Sequence, residues 1–171
     1  MSSLSHSGEE TTPSSILFVI KQIEQATRAH LDTLLKPHGI TAIQYATLTI
    51  LERHGEMSSA DLARRAFVRA QSMADMIAVL ERIELVERRE DVDNRRRSII
   101  SLTPRGSRLL TTVAAPVSHL ESRMLGEIDP NRVDDLRHDL SACRRALERY
   151  PLEESRRVAS SLRPGIQAPQ A

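Results

Sequence analysis

The sequence predicts a mostly α-helical chain with one small β-hairpin, and three observations carry the prediction. Long segments at both ends place apolar residues three and four apart, the spacing of a helix buried along one side. Helix-start signatures recur at Thr41 with Gln44, Ser58 with Asp61, and Thr103 before Pro104. Only around residues 86–102 does the pattern change to two short extended runs flanking a polar turn.

The elements follow in chain order. Residues 1–12 are polar and aperiodic, so a disordered N-terminal arm is expected. Thr12-Pro13 reads as a cap followed by proline at the first helical position. Ile16, Ile20, Ile23, Thr27, Leu31 and Leu34 then form one stripe on a long first helix, which Pro37 and Gly39 end. Thr41 and Gln44 cap a second helix carrying Tyr45, Leu48 and Leu51. Ser58 and Asp61 cap a short third helix with Leu62, Ala63 and Ala66. A fourth, over about residues 70–83, turns Met73, Met76, Ile77, Leu80 and Ile83 inward. Two strands are expected at Val86–Glu90 and Arg97–Leu102, joined through Asp-Val-Asp-Asn and three arginines. Thr103-Pro104 opens a long fifth helix containing Leu109, Leu110, Val113, Val117, Leu120 and Met124. Asp129-Pro130 opens the last, whose Val133, Leu136, Leu140, Cys143, Leu147 and Tyr150 resemble a coiled-coil seam. Residues 151–171 are expected to be a flexible C-terminal tail.

Composition narrows the function. Of 171 residues 40% are hydrophobic but only 2% aromatic, with no Trp, so aliphatic side chains and Met must fill the core. Net charge is +1, so a surface for nucleic acid has to be local. A single Cys permits no internal disulfide and no multi-cysteine metal site. The N-terminus lacks the basic and apolar regions of a signal peptide. No stretch approaches the roughly 18 apolar residues of a membrane span. The expected setting is the bacterial cytoplasm, without membrane association.

The middle of the chain carries the chemistry. A short helix, a tight turn and a helix with one apolar face outline a helix-turn-helix, which sets its second helix in a DNA major groove. The outward residues there are Gln71, Ser72, Asp75, Val79 and Arg82, with Arg69 just before them. Gln pairs with adenine, Ser with several bases, and Asp accepts from cytosine N4. The hairpin that follows has the position of a wing. Arg95, Arg96 and Arg97 cluster at its tip, where guanidinium groups reach a narrow minor groove or take phosphate bidentately. The order of elements supports this more than charge does. Residues 58–105 hold ten Arg against eight Asp or Glu, a net charge of only +2.

The run "LARRAFVRAQSMADMIAVLERIELVERREDVDNRRRSIISLTPRG" resembles the winged helix-turn-helix core of the MarR family of bacterial transcriptional regulators. The resemblance rests on "LARR", on "QSM" opening the fourth helix, on "LVERR" into the wing, on Asp93 and Arg95 at its tip and on "SLTPRG"; with the flanking helices it covers about residues 14–150. It implies a homodimer on a palindromic operator, most often a nucleoid-bound repressor, released by a small and often phenolic ligand or by cysteine oxidation. Residues 13–37 and 104–150 would then be dimerisation helices, and 41–103 the DNA-binding domain on double-stranded DNA. The apolar stripes agree, because one small winged domain cannot cover them all and a second copy could.

Some residues depart from the family pattern. Arg69 stands where Thr or Ser often caps the recognition helix. Asp75 would repel phosphate, and Glu84 occupies a position where Gly is typical and the backbone left-handed. Pro116 is expected to kink the fifth helix. Tyr45 is a candidate for lining an effector cleft, with plain core as the alternative. Cys143 is expected to be a small core residue on the seam, since a redox switch needs exposure and a lowered pKa. His30, His38 and His54 have no ligand spacing, so neither metal nor other cofactor is expected. No nucleophile–base set and no Gly-rich phosphate loop is present, so an enzyme is not expected. The competing class is a winged protein-interaction module that does not read DNA; its binding would depend little on salt.

Overall fold

The structure is a computed structural model and describes residues 15–91, 98–150 and 152–161. Its helices are α1 (Ile16–Leu35), α2 (Ala42–His54), α3 (Ser59–Arg65), α4 (Ala70–Arg82), α5 (Pro104–Met124), α6 (Val133–Arg149) and α7 (Leu152–Ser161). Its strands are β1 (Met57–Ser58), β2 (Val86–Glu90) and β3 (Ser98–Leu102), in the antiparallel order β1-β3-β2.

The caps form where the sequence places them. Thr41 and Gln44 make a complete capping box on α2. The Ser58 hydroxyl accepts from the Asp61 amide at 3.1 Å. The Thr103 hydroxyl accepts from the Gly106 amide at 3.0 Å, with Pro104 in the first turn of α5. Each satisfies an amide that the helix leaves without a partner, worth about 1 kcal/mol. A single 3-10 turn at Lys36–His38 follows α1 and ends at Gly39, whose φ of 71° suits a residue without Cβ.

One core joins the elements. Leu35 of α1, Leu48 of α2, Leu62 of α3, Met73, Ile77 and Leu80 of α4, and Ile100 of β3 are fully buried together. Leu110 and Val113 add the first half of α5. The core is aliphatic, as the shortage of aromatics requires. Its buried Thr47 is satisfied by donating to the Ile43 carbonyl at 2.9 Å. In β2 and β3 the register runs from Val86 opposite Leu102 to Glu90 opposite Ser98.

Several expectations are corrected. Strand β1 adds to the two expected strands, and two residues are too few to carry an alternation; Met57 and Ser58 pair with Ile100 and Ile99. Residues 152–161 of the expected flexible tail are helical, with Glu153 and Glu154 in the first turn of α7. Acidic residues there complement the helix dipole, and a preceding proline starts a helix as readily as it ends one. Residues 130–132 form a 3-10 turn before α6. Cys143 is exposed and not in the core. Its seam is only partly covered within the chain: Val133 and Leu136 are half-buried, and α6 contains no fully buried residue. Pro116 lies inside an α5 that is helical on both sides of it. The expected N-terminal arm and the Thr12-Pro13 start lie outside the described residues.

Apolar surface is left along both ends of the chain. Ile16 and Leu17 are 75% exposed, and Phe18, Ile23, Leu140 and Leu147 are about half exposed. No helix is long and apolar enough, among the described residues, to cross a membrane.

Candidate nucleic-acid interface

Helices α3 and α4 are joined by a tight turn. The Phe67 amide donates to the Arg64 carbonyl at 3.2 Å and the Val68 amide to that of Ala63 at 3.0 Å. This paired pattern closes a helix with one left-handed residue, a place usually given to Gly. Here the residue is Phe67, with φ of 53° and its ring exposed. The end of α4 repeats the arrangement. The Glu84 amide donates to Glu81 and the Leu85 amide to Leu80, both at 2.9 Å, with Glu84 at φ 60°. The sequence flags Glu84 but not Phe67. Each non-glycine residue in this region costs about 1 kcal/mol.

Helix α4 turns Met73, Ile77 and Leu80 into the core. That fixes which residues face solvent: Arg69, Gln71, Ser72, Asp75 and Arg82 are exposed, and Val79 is half-buried. Arg69 is the N-cap residue and supplies no side-chain cap, so the first-turn amides remain open to an anion. The Gln71 amide donates to an Asp75 carboxylate oxygen at 3.1 Å. The two candidate base readers are therefore coupled, and Asp75 orients Gln71.

The wing is anchored from below. The Thr103 hydroxyl donates to the Glu84 carbonyl at 2.6 Å while accepting from Gly106, and the Thr103 amide donates to the Leu85 carbonyl at 3.2 Å. Gly106 is required here. A Cβ on it would sit 2.2 Å from the Leu85 carbonyl oxygen. Arg105 pairs with Glu84 at 3.0 Å and Arg88 with Glu81 at 3.4 Å. Arg89 pairs with Glu56, whose hydrogen bond raises the Arg89 pKa and keeps it charged. These wing arginines are engaged within the protein. Arg95, Arg96 and Arg97, with Asp93, lie outside the described residues.

Tyr45 is half-buried and packs against the core. It does not line the groove between α1 and α5. That groove, of about 600 Å3, is walled by Ile23, Thr27 and His30 on one side and by His119, Leu120 and Met124 on the other. Among the described residues no three His, Cys, Asp or Glu converge as a metal site.

A helix-turn-helix with a buried inner face, a polar outer row and a ribbon tied to its end defines a winged helix-turn-helix protein, the class of DNA-binding transcriptional regulators. Residues 40–98 match the family model described as MarR family. The homoprotocatechuate degradative operon repressor of Escherichia coli is 24% identical over 124 residues, covering 72% of this chain and 84% of its own. An HTH-type transcriptional repressor of Mycobacterium tuberculosis is 29% identical over 111 residues, covering 65% and 80%. The crystal structure of a probable transcriptional regulator from Pseudomonas aeruginosa superposes with a TM-score of 0.66 at 25% identity, over 76% of this chain and 97% of that one. The MarR family match spans residues 40–98, about a third of the chain, and over its wider length the chain is similar to these transcriptional repressors and this regulator.

Proposed function

We propose that this regulator is a homodimeric repressor that reads an imperfect palindrome in double-stranded DNA. The observation that carries the reading is the exposed row Arg69, Gln71, Ser72 and Asp75 on a helix whose opposite face is locked in the core. Gln71 and Ser72 read base edges, with Asp75 holding Gln71 and accepting from cytosine. Arg69 binds phosphate beside the open helix start, and Arg95, Arg96 and Arg97 carry the wing to the minor groove. The uncovered apolar faces of α1 and α6 meet those of a second copy, and the symmetry sets two recognition helices about one DNA turn apart. Repression is supported by the relatives' descriptions as repressors. A small-molecule effector would enter from the dimer side, through the α1–α5 groove or beside Tyr45. The protein would work in the bacterial cytoplasm, at the nucleoid.

The test is selection of binding sites from a random duplex library at physiological salt. Enrichment of paired half-sites about 10 base pairs apart is expected. Weak binding with no enriched sequence would overturn the reading.

A further inference from the structure

A cleft of about 890 Å3 lies between the helix-turn-helix and the C-terminal end of the chain. One wall is Arg64, Arg65, Phe67, Arg69 and Ala70; the other is Leu147, Tyr150 and Glu153. The first wall contains the start of the recognition helix. That start lacks a side-chain cap and has no acidic residue in its first turn. An anion is favoured there by the open amides and the helix dipole. Asp61 also lines the cleft but pairs with Arg64, and Glu148 is paired with Arg144. Glu153 closes no ion pair among the described residues. The similar Pseudomonas structure accounts for 97% of its own length but only 76% of this chain, a shortfall larger than residues 1–14 alone can supply.

We propose that α7 is an internal competitor for DNA: it holds the Glu153 carboxylate across the cleft from Arg65 and Arg69, on the approach a DNA phosphate would take to them. This rests on the regulator reading above. The carboxylate lowers the positive potential at the start of α4, and α7 narrows the approach to the α3–α4 turn. DNA must displace both. The affinity of the reading head is thereby set below what its arginines alone would give, and the setting is strongest at low salt, where exposed charges are least screened.

The experiment compares duplex affinity, from low to high salt, for the full chain, for Glu153→Gln, for Glu154→Gln and for a chain ending at Tyr150. Glu154 is adjacent in sequence but does not line the cleft, so it controls for charge alone. Glu153→Gln is expected to bind about twofold tighter at low salt, the lower end of what exposed charges contribute, since Glu153 faces the arginines across the cleft without closing an ion pair. The shortened chain should gain at least as much, Glu154→Gln should match the parent, and the differences should shrink as salt rises. Equal affinity of the parent, Glu153→Gln and the shortened chain would overturn the competition while leaving the regulator reading intact. An equal gain in Glu154→Gln would replace it with a general charge effect. Failure of every protein to bind any duplex would overturn the regulator reading itself, and the competition with it.

Discussion

Replacing Gly106 with alanine should unfold the wing from its base. The added Cβ would lie 2.2 Å from the Leu85 carbonyl oxygen and 3.2 Å from the Leu102 side chain. The Leu85 oxygen is backbone, so relief requires α5 to move by about 1 Å, well beyond what close packing absorbs without strain. Overpacking of this kind costs about 1–3 kcal/mol. The move also strains the Thr103 bonds to the carbonyls of Leu85 and Glu84, each worth about 1 kcal/mol. The expected loss is about 3–5 kcal/mol, against a typical total of about 5–15. Denaturant unfolding at fixed protein concentration measures it. Gly126→Ala is the control, since a Cβ there comes no nearer than 3.4 Å to the Arg123 carbonyl oxygen. A Gly106→Ala protein within about 1 kcal/mol of its parent would refute the reasoning.

Three further outcomes are expected. Glu84→Gly should raise stability by about 0.5–1 kcal/mol, because relief of the left-handed strain exceeds the loss of an exposed pair with Arg105; thermal unfolding that shifts downward would contradict it. Arg69→Ala should weaken binding to all duplexes alike and lower the salt slope by about one, whereas Gln71→Ala should relax preference at one base pair; titrations across salt and a single-substitution operator series separate the two. Leu140→Asp should convert the dimer to monomer in sedimentation, and a persisting dimer would remove α6 from the interface.

What the sequence reveals tracks the range of the interaction. Thr41, Ser58 and Thr103 cap helices through amides three residues away, so their role can be read from a short window. Met73, Ile77 and Leu80 follow from helical period. Phe67 could not be found that way, since glycine is the usual sign of a left-handed cap and none is present. The exposure of Cys143 is not legible from its seam, because a seam tells that a helix face is apolar, not what covers it. Strand β1 exists only because β3 offers it an edge. Helix α7 is masked in the sequence by the prolines and arginines around it, a composition shared with loose tails.

The triple engagement of the Thr103 hydroxyl and amide with Glu84, Leu85 and Gly106 has a mechanical meaning. It makes the base of α5 a fulcrum shared with the end of the recognition helix. His119, in the α1–α5 groove, lies 13 residues beyond Gly106, about 20 Å along the axis. Helix α4 runs about the same distance from Glu84 back to Arg69. The two arms are nearly equal, so a sideways push of about 1 Å near His119, carried rigidly through this joint, arrives at Arg69 as a displacement of about 1 Å. That is a large fraction of a hydrogen-bond length at the surface that meets DNA. Because Leu110 and Val113 of α5 share one core with Met73, Ile77 and Leu80 of α4, leverage of this kind has to be met by repacking between them, and Gly106 is what lets the joint close.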